Sequence, residues 1–262
     1  MRIVKLRKAA LHVRIDGPED GNPLVFANSL GTDLRVWDKI VPLLPTGLRI
    51  IRFDKRGHGL SSCPAGPYGI DDLVDDTEEL LDHLGIRGAT FVGLSIGGQI
   101  GQGLALRRPD IITSLVLSNT AAKLGDAQMW ADRIAAIKAG GIAALSDAIL
   151  ERWFGPVFRR GDELEAWRNM LERTPAAGYL GCCHAVANAD MTGLVPALRL
   201  PALAIGGSED GASPPDLVRA TAALIPGCRY EEIADAGHLP CVEAPEAYAE
   251  LLSAFLKGAG HV

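Results

Sequence analysis

The sequence predicts an α/β fold: a mostly parallel β-sheet with helices on both faces and an all-helical insertion. Short apolar runs bounded by turn residues alternate with helical patterns up to residue 120 and again from residue 190. Between these parts, residues 121–189 show helical patterns and no convincing strand. We therefore expect a core formed by 1–120 and 190–262. The segment 121–189 would form a helical cap over the carboxyl edge of the sheet, where open α/β sheets bind ligands.

The composition restricts the class of protein. The chain has 262 residues, 48% of them hydrophobic and 22% charged, which suits a globular protein with a sizeable core. Its net charge of −6 gives no general attraction to nucleic acid or to an anionic membrane. No apolar run approaches the roughly 18 residues of a membrane-spanning helix. The basic N-terminal stretch alternates like a strand and has no signal-peptide core, so we expect a cytoplasmic protein.

The five cysteines are an odd number and show no C-x-x-C spacing. This pattern predicts reduced, buried thiols and no metal site.

The first half of the chain begins with an alternating apolar and polar stretch, residues 1–15, which predicts an antiparallel hairpin. The following apolar runs and helical repeats predict strands at 23–27, 48–53, 89–92 and 111–117, and helices at 34–44, 71–84 and 96–107. Acidic residues in the first turn of the helix at 71–84 suit its dipole.

The second half continues with helical patterns at 129–137, 142–154, 162–171 and 176–189, then a strand at 200–207, a helix at 214–224, a strand at 229–233 and a helix at 245–257. Three of the four tryptophans lie in the helical insertion. Trp130 is a candidate for substrate binding, whereas we expect Trp153 and Trp167 only to pack the cap against the core.

A serine stands at the turn between the strand at 89–92 and the following helix, in the sequence GLSIG (93–97). Such a G-x-S-x-G turn holds the serine in a strained conformation, and the small residues let strand and helix pass closely. The turn lifts the hydroxyl out of the sheet, and the helix N-terminus favours developing negative charge. The motif alone fits a helix-capping serine equally well, so Ser95 is a candidate nucleophile that needs a base and an acid.

Histidine suits the base because its pKa lies near neutral pH. His238 follows the last strand in a glycine-flanked loop at the same edge of the sheet. The other histidines fit less well: His12 in the hairpin, His58 in the loop-forming DKRGHG segment, His83 within a helix, His184 in the cap and His261 in a frayed tail. Asp210 follows the strand at 200–207 and can hold the tautomer of the base; Glu209 would point away and Asp235 suits a turn. The chain order Ser95, Asp210, His238 is that of the α/β-hydrolases.

A tetrahedral intermediate also needs donors for its negative oxygen. We expect the backbone N–H of Ile96, which follows the nucleophile, and that of Leu30 in the loop 28–31. The side chains of Asn28 and Ser29 are interpreted as ordinary turn chemistry.

FDKRGHG (53–59), GLSIGG (93–98), the Asp210 loop and AGHLP (236–240) resemble the α/β-hydrolase superfamily over nearly the whole chain. Longer segments resemble the 3-oxoadipate enol-lactonases of the bacterial β-ketoadipate pathway. These are NSLGTDLRVWD (28–38), FDKRGHGLSS (53–62), LSNTAAKLGDAQMWADRI (117–134) and GYLGCCHAVANADM (178–191). Many superfamily members have His-Gly where this chain has Asn28-Ser29, a departure that the enol-lactonase-like pattern tolerates.

The resemblance implies a serine hydrolase that opens 3-oxoadipate enol-lactone to 3-oxoadipate through an acyl-enzyme, without a cofactor. This small substrate is anionic and the protein is acidic, so a local cation should orient it. Arg133, on the Trp130 helix, is the candidate, and a solvated surface arginine is the alternative. A broad carboxylesterase or a carbon–carbon bond hydrolase would have the same triad. A non-catalytic hydrolase-like binding protein is a third possibility, whereas serine at position 95 disfavours a dehalogenase, which requires aspartate.

Overall fold

Within residues 2–262, which the computed structural model describes, eight strands form one sheet in the order β1-β2-β4-β3-β5-β6-β7-β8. The strands are β1 (Arg2–Lys5), β2 (Ala10–Asp16), β3 (Asn22–Ala27), β4 (Leu48–Phe53), β5 (Ala89–Leu94), β6 (Ile112–Ser118), β7 (Ala202–Gly207) and β8 (Arg229–Ile233). β1 and β2 pair antiparallel, and β3 to β8 run parallel. The predicted hairpin and the mostly parallel sheet are confirmed.

The α-helices are α1 (Ile70–His83), α2 (Ile96–Arg107), α3 (Ala127–Gly140), α4 (Ser146–Trp153), α5 (Leu164–Glu172), α6 (Ala176–Ala187), α7 (Pro215–Leu224), α8 (Pro240–Glu243) and α9 (Pro245–Gly258). α2 packs against β5, β6 and α1, and α7 packs against β7 and β8. Every residue of β5 and β7 is buried, as expected for parallel strands covered on both faces.

The chain between β6 and β7 contains α3 to α6. Within it, α6 packs against α3 and also reaches α1 of the core. The segment 121–189 is therefore largely helical, and its separation as a cap stays a prediction.

The predicted helix at 34–44 is wrong. The structure has two short 3-10 helices there, Leu34–Trp37 and Val41–Leu43. Pro42 lacks the N–H that a continuing α-helix needs, and Asp33 caps the first segment by accepting the N–H of Arg35. Similarly, the predicted helix at 142–154 begins with a 3-10 turn at Ala143–Leu145, and α4 starts only at Ser146.

Two predictions about individual side chains also fail. His261 does not lie in a frayed tail: it is 8% exposed, and its Nε2 lies 2.8 Å from the carbonyl oxygen of Pro23. All five cysteines are free, but only Cys182, Cys183 and Cys241 are buried. Cys63 is exposed and Cys228 partly so.

Among the helices formed by residues 2–262, none is long and apolar enough to cross a membrane. In the same range no group of three or more histidine, cysteine or acidic side chains is placed to hold a metal ion.

Candidate active site

Ser95 lies at the turn between β5 and α2 with φ 56° and ψ −119°, a conformation that a side chain disfavours. The glycines make this turn possible. A Cβ at Gly93 would come within 2.3 Å of the Gly97 carbonyl oxygen, and one at Gly97 within 2.2 Å of the Ala27 carbonyl oxygen. The N–H of Ser95 donates to the carbonyl of Ser118 at 3.0 Å, so the neighbouring strand β6 fixes the turn.

His238 and Asp210 form a buried pair after β8 and β7. Nδ1 of His238 lies 2.9 Å from Oδ2 of Asp210, and the two residues are 1% and 4% exposed. The aspartate also accepts the N–H groups of Ala212 and Ser213 at 2.7 and 2.9 Å, and Nδ2 of Asn119 donates to it at 2.9 Å. These donors fix the carboxylate, which in turn orients the imidazole.

Asn119 was not among the predicted site residues. It follows β6 directly, with φ 47°. Its Nδ2 also donates to the carbonyl of Gly237 at 3.2 Å, so one amide joins the loop of Asp210 to the loop of His238. Its sequence signal was a polar residue directly after a buried strand, at the edge of the sheet where the other site residues lie.

Ser95 and His238 line the same cavity. Within residues 2–262, Nε2 of His238 forms its hydrogen bond with Ser29 Oγ, at 3.3 Å, and not with Ser95 Oγ. Catalytic hydrogen bonds are often long in an enzyme without ligand. The interpretation of Ser29 as mere turn chemistry is therefore wrong, because its hydroxyl contacts the imidazole. Asn28 fits that interpretation, since its Nδ2 donates to the carbonyl of Thr32 at 2.6 Å.

The N–H groups of Leu30 and Ile96 have no acceptor within residues 2–262. Ile96 is the first residue of α2, where the helix itself leaves the N–H free. Leu30 lines the cavity that also contains Ser95. The structure thus leaves both predicted donors free, and their role as an oxyanion hole stays a prediction.

The loop after β4 supports the Leu30 loop. Asp54 accepts the N–H of Leu34 at 2.7 Å, and Nε2 of His58 accepts the N–H of Gly31 at 3.0 Å. Burial, and secondly the charge of Lys55, hold the pKa of His58 well below its usual value, so its ring stays neutral and can accept this bond. These contacts agree with the prediction that the DKRGHG segment has a structural role.

Two arginines line the cavity, and within residues 2–262 no acidic side chain does. The guanidinium of Arg133, on α3, lies 5.2 Å from the ring centre of Trp130. Arg152, at the end of α4, donates Nε to the carbonyl of Gly211 at 2.9 Å. Burial, and then the charge of Arg133, lower the pKa of Arg152, but a guanidinium stays charged at neutral pH. In the described chain neither arginine lies within ion-pair distance of a carboxylate, although the charge of Asp210 acts on Arg152 from farther away.

Trp130 and Trp153 both line the cavity, whereas the prediction assigned only Trp130 to substrate binding. Trp130 lines the cavity and donates its Nε1 to the carbonyl of Leu124 at 2.7 Å. Trp153 lines the cavity as well, so the expectation that it only packs the cap is wrong. Trp167 packs on Phe154 within the helical segment, with 5.9 Å between the ring centres, and its predicted packing against the core stays a prediction.

A wider groove of about 680 Å³ lies elsewhere, lined by charges of both signs. Arg35 is paired there with Asp33 at 2.6 Å, and His12 with Asp54 at 2.8 Å. Neither Ser95 nor His238 lines this groove, so the cavity at Ser95 is the better candidate for an active site.

The chain belongs to the alpha/beta hydrolase family, whose model matches residues 24–251. Among curated relatives, 3-oxoadipate enol-lactonase 2 of Acinetobacter baylyi is 36% identical over 252 residues, which cover 95% of this chain and 93% of the relative. 3-Oxoadipate enol-lactonase 1 of the same organism is 34% identical over 94% of this chain and 93% of its own. The resemblance found in the sequence is confirmed.

Solved structures agree. The crystal structure of the enol-lactonase from Burkholderia xenovorans LB400 matches with a TM-score of 0.94 and 38% identity, covering 98% of this chain and 100% of that one. A thermophilic esterase from Thermogutta terrifontis, with malate bound, matches with a TM-score of 0.93 and 27% identity over 100% of both chains.

Proposed function

We propose that this protein hydrolyses 3-oxoadipate enol-lactone to 3-oxoadipate in the cytoplasm, as a serine esterase that needs no cofactor. The observation that carries the substrate class is that Arg133 and Arg152 both line the cavity of Ser95 and form no ion pair with a carboxylate of the described chain. A lactone with a free carboxylate would compensate this charge, whereas a neutral ester would not. The names of the relatives support the same substrate.

In the proposed first half-reaction, His238 takes the hydroxyl proton of Ser95 as Oγ attacks the lactone carbonyl. Asp210 stabilises the resulting imidazolium. The negative oxygen accepts hydrogen bonds from the N–H groups of Leu30 and Ile96. The acyl C–O bond of the ring then breaks. The leaving enolate takes the proton from His238, and the acyl group stays on Ser95.

In the second half-reaction, water gives a proton to His238 and attacks the acyl carbon. The C–O bond to Ser95 breaks, and Oγ recovers the proton from His238. The enol product then tautomerises to the ketone. Enolate is a better leaving group than alkoxide, so ring opening needs less assistance than hydrolysis of a simple alkyl ester.

The substrate carboxylate would lie on the side of the cavity formed by the proposed cap, 121–189. Arg133 and Arg152 come from that segment, on α3 and α4, with Trp130 beside them. The core would supply the reacting groups and the helical segment the specificity.

The nucleophile is tested by Ser95→Ala. We expect a folded protein with lactone hydrolysis reduced by about three to six orders of magnitude. Ser253→Ala, on α9, is the control and should keep normal turnover. A serine-directed phosphonate should add to Ser95 of the folded wild type and be located by mass spectrometry. Near-normal turnover of Ser95→Ala, or no adduct at Ser95, would contradict the assignment.

The substrate is tested by measuring kcat/KM with freshly generated enol-lactone beside simple aryl esters. We expect a strong preference for the lactone because only the lactone engages both arginines. Equal or better turnover of the aryl esters would instead identify a broad carboxylesterase.

A further inference from the structure

We propose that Lys55 is a positioning residue for the oxyanion donor at Leu30, because its ammonium holds the carbonyl of the same peptide unit. The proposal rests on the proposed function, which assigns the Leu30 N–H to the oxyanion hole. Lys55 is only 3% exposed, and its Nζ lies 2.6 Å from the carbonyl oxygen of Ser29. The carbonyl oxygens of Asn28 and Thr32 lie farther away, each at 3.4 Å.

The C=O of Ser29 and the N–H of Leu30 belong to one planar trans peptide, so they point in opposite directions. The Ser29 oxygen also accepts the hydroxyl of Thr32 at 3.0 Å and the N–H of Thr32 at 3.2 Å. Holding this oxygen on the inner side of the loop fixes the direction of the N–H on the other. The donors also polarise the peptide, which makes its N–H a stronger donor.

The ammonium is buried without a carboxylate within ion-pair distance in the described part of the chain. Burying such a charge is costly, and an apolar side chain would avoid that cost. The ammonium is on the inner side of the peptide that faces the cavity. It therefore also attracts the negative oxygen that forms on the other side of that peptide.

The protonation of Lys55 makes the proposal visible in a pH profile. Burial lowers the pKa of Lys55 to about 8, and the neighbouring Cys182, Asp54 and Asp33 oppose this shift only in part. The titratable groups that face it are Asp54, Asp33, Cys182 and His58. Because the charged form of lysine exists below its pKa, its support of Leu30 is present below pH 8 and lost as the pH rises through it.

The test compares Lys55→Met with Thr32→Val, using p-nitrophenyl acetate because this ester needs the same oxyanion hole but no arginine. Lys55→Met should lower kcat per folded enzyme by about 10–100-fold, change KM by less than about twofold and remove the alkaline fall in kcat near pH 8. Thr32→Val removes a donor to the same oxygen and keeps the ammonium. It should lower kcat by less than about threefold and keep the alkaline fall. Lys8→Met, at an exposed ion pair, should leave kcat and its pH profile unchanged.

If Lys55→Met does not fold, the wild type still decides the question. The pKa of Lys55 can be followed by the 13Cε chemical shift, with and without a boronic acid that forms a tetrahedral adduct at Ser95. The negative adduct should raise this pKa, since binding and protonation favour each other reciprocally. Normal kcat with an unchanged alkaline fall in Lys55→Met, or no pKa change with the boronic acid, overturns the proposal. If the wild type hydrolyses aryl esters but not the lactone, only the proposed substrate is contradicted.

Discussion

Arg133 and Arg152 line the same cavity but are held differently. Arg133 stacks over Trp130 and forms no hydrogen bond within the described residues, so all its N–H groups are free for a ligand. Arg152 uses Nε to hold the carbonyl of Gly211, next to the proposed acid Asp210. Losing Arg133 should therefore affect only anion binding, whereas losing Arg152 should also disturb the loop of the acid.

Arg133→Ala should raise KM for the anionic lactone by about 10–100-fold, because a charge-assisted hydrogen bond to a carboxylate is worth about 1.5–3 kcal/mol. KM for a neutral aryl ester should change less than about twofold. Steady-state kinetics on both substrates measure this difference. Lys138→Ala, an exposed cation on the same helix, should change neither value. Equal effects of Arg133→Ala on both substrates would remove its proposed part.

At this scale the sequence predicted three residues that follow parallel strands, because their position needs only the order of the strands; Asn119, which follows β6, was missed. Ser95, Asp210 and His238 are of this kind: Ser95 and His238 line one cavity, and Asp210 is bonded to Nδ1 of His238. Lys55 and Ser29 were missed because their contact joins two loops that are separate in sequence. No periodicity or spacing reports which carbonyl a lysine will reach.

Among the elements, the short helix α8 helps to hold the loop of His238, although it has only four residues. Glu243, its last residue, accepts the N–H of Gly237 with Oε1 and that of Gly155 with Oε2, both at 2.8 Å. Gly237 precedes His238, and Gly155 follows α4. In addition, the N–H of His238 donates to the carbonyl of Trp153 at 2.7 Å. One carboxylate thus ties the loop of the proposed base to the end of α4.

Glu243→Gln should lower kcat by about tenfold with little change in KM. The amide NH₂ cannot accept an N–H, so one of the two backbone donors loses its partner, at a cost of about 1–3 kcal/mol. The loop of His238 is then held less firmly. Kinetics with the lactone and thermal unfolding measure both effects. Glu246→Gln, at an exposed site in the first turn of α9, is the control. A normal kcat in Glu243→Gln would show that the loop holds its place without this contact.

The difference in stability between the wild type and Glu243→Gln should depend on pH. Burial, opposed by the two backbone donors, raises the pKa of Glu243 from 4.5 to about 7. Because the pKa in the folded state is the higher one, the contribution to stability is complete below pH 4.5 and is lost as the pH rises through about 7. The stability lead of the wild type over Glu243→Gln should therefore be larger at pH 5 than at pH 8. Urea unfolding at both values measures it, and an equal lead would contradict the raised pKa.

Elements whose cause lies within a few adjacent residues were predicted correctly, whereas an element that depends on distant residues was not. The turn from β5 to α2 was predicted because its glycines and serine stand within five residues. The helix expected at 34–44 failed because its apolar spacing was helical, whereas Pro42 and the carboxylates of Asp33 and Asp54 favour short 3-10 turns. Asp54 acts from beyond the next strand, so a local pattern does not show it.

For the whole molecule, the sequence predicted a helical insertion but not how it meets the core. The contact depends on glycines that let two backbones approach. A Cβ at Gly178, on α6, would lie 2.3 Å from the carbonyl oxygen of Gly57, in the loop after β4. A Cβ at Gly181 would lie 2.5 Å from the ring of Tyr68. From the sequence, a glycine in a predicted helix indicates only a low helix propensity. Its use as a site of close contact is seen only in the folded structure.

Gly178→Ala should lower the free energy of unfolding by about 1–3 kcal/mol, because the new methyl group meets backbone atoms of Gly57 that cannot move aside as a side chain would. Helix propensity acts in the opposite direction, by up to about 1 kcal/mol. Gly258→Ala isolates that second effect, since Gly258 is also helical but a Cβ there meets nothing within 4 Å. The two variants should therefore shift urea unfolding in opposite directions, Gly178→Ala to lower and Gly258→Ala to equal or higher midpoints. If Gly178→Ala is as stable as the wild type, α6 can move away from the loop after β4 at little cost, and the close contact does not hold the insertion on the core.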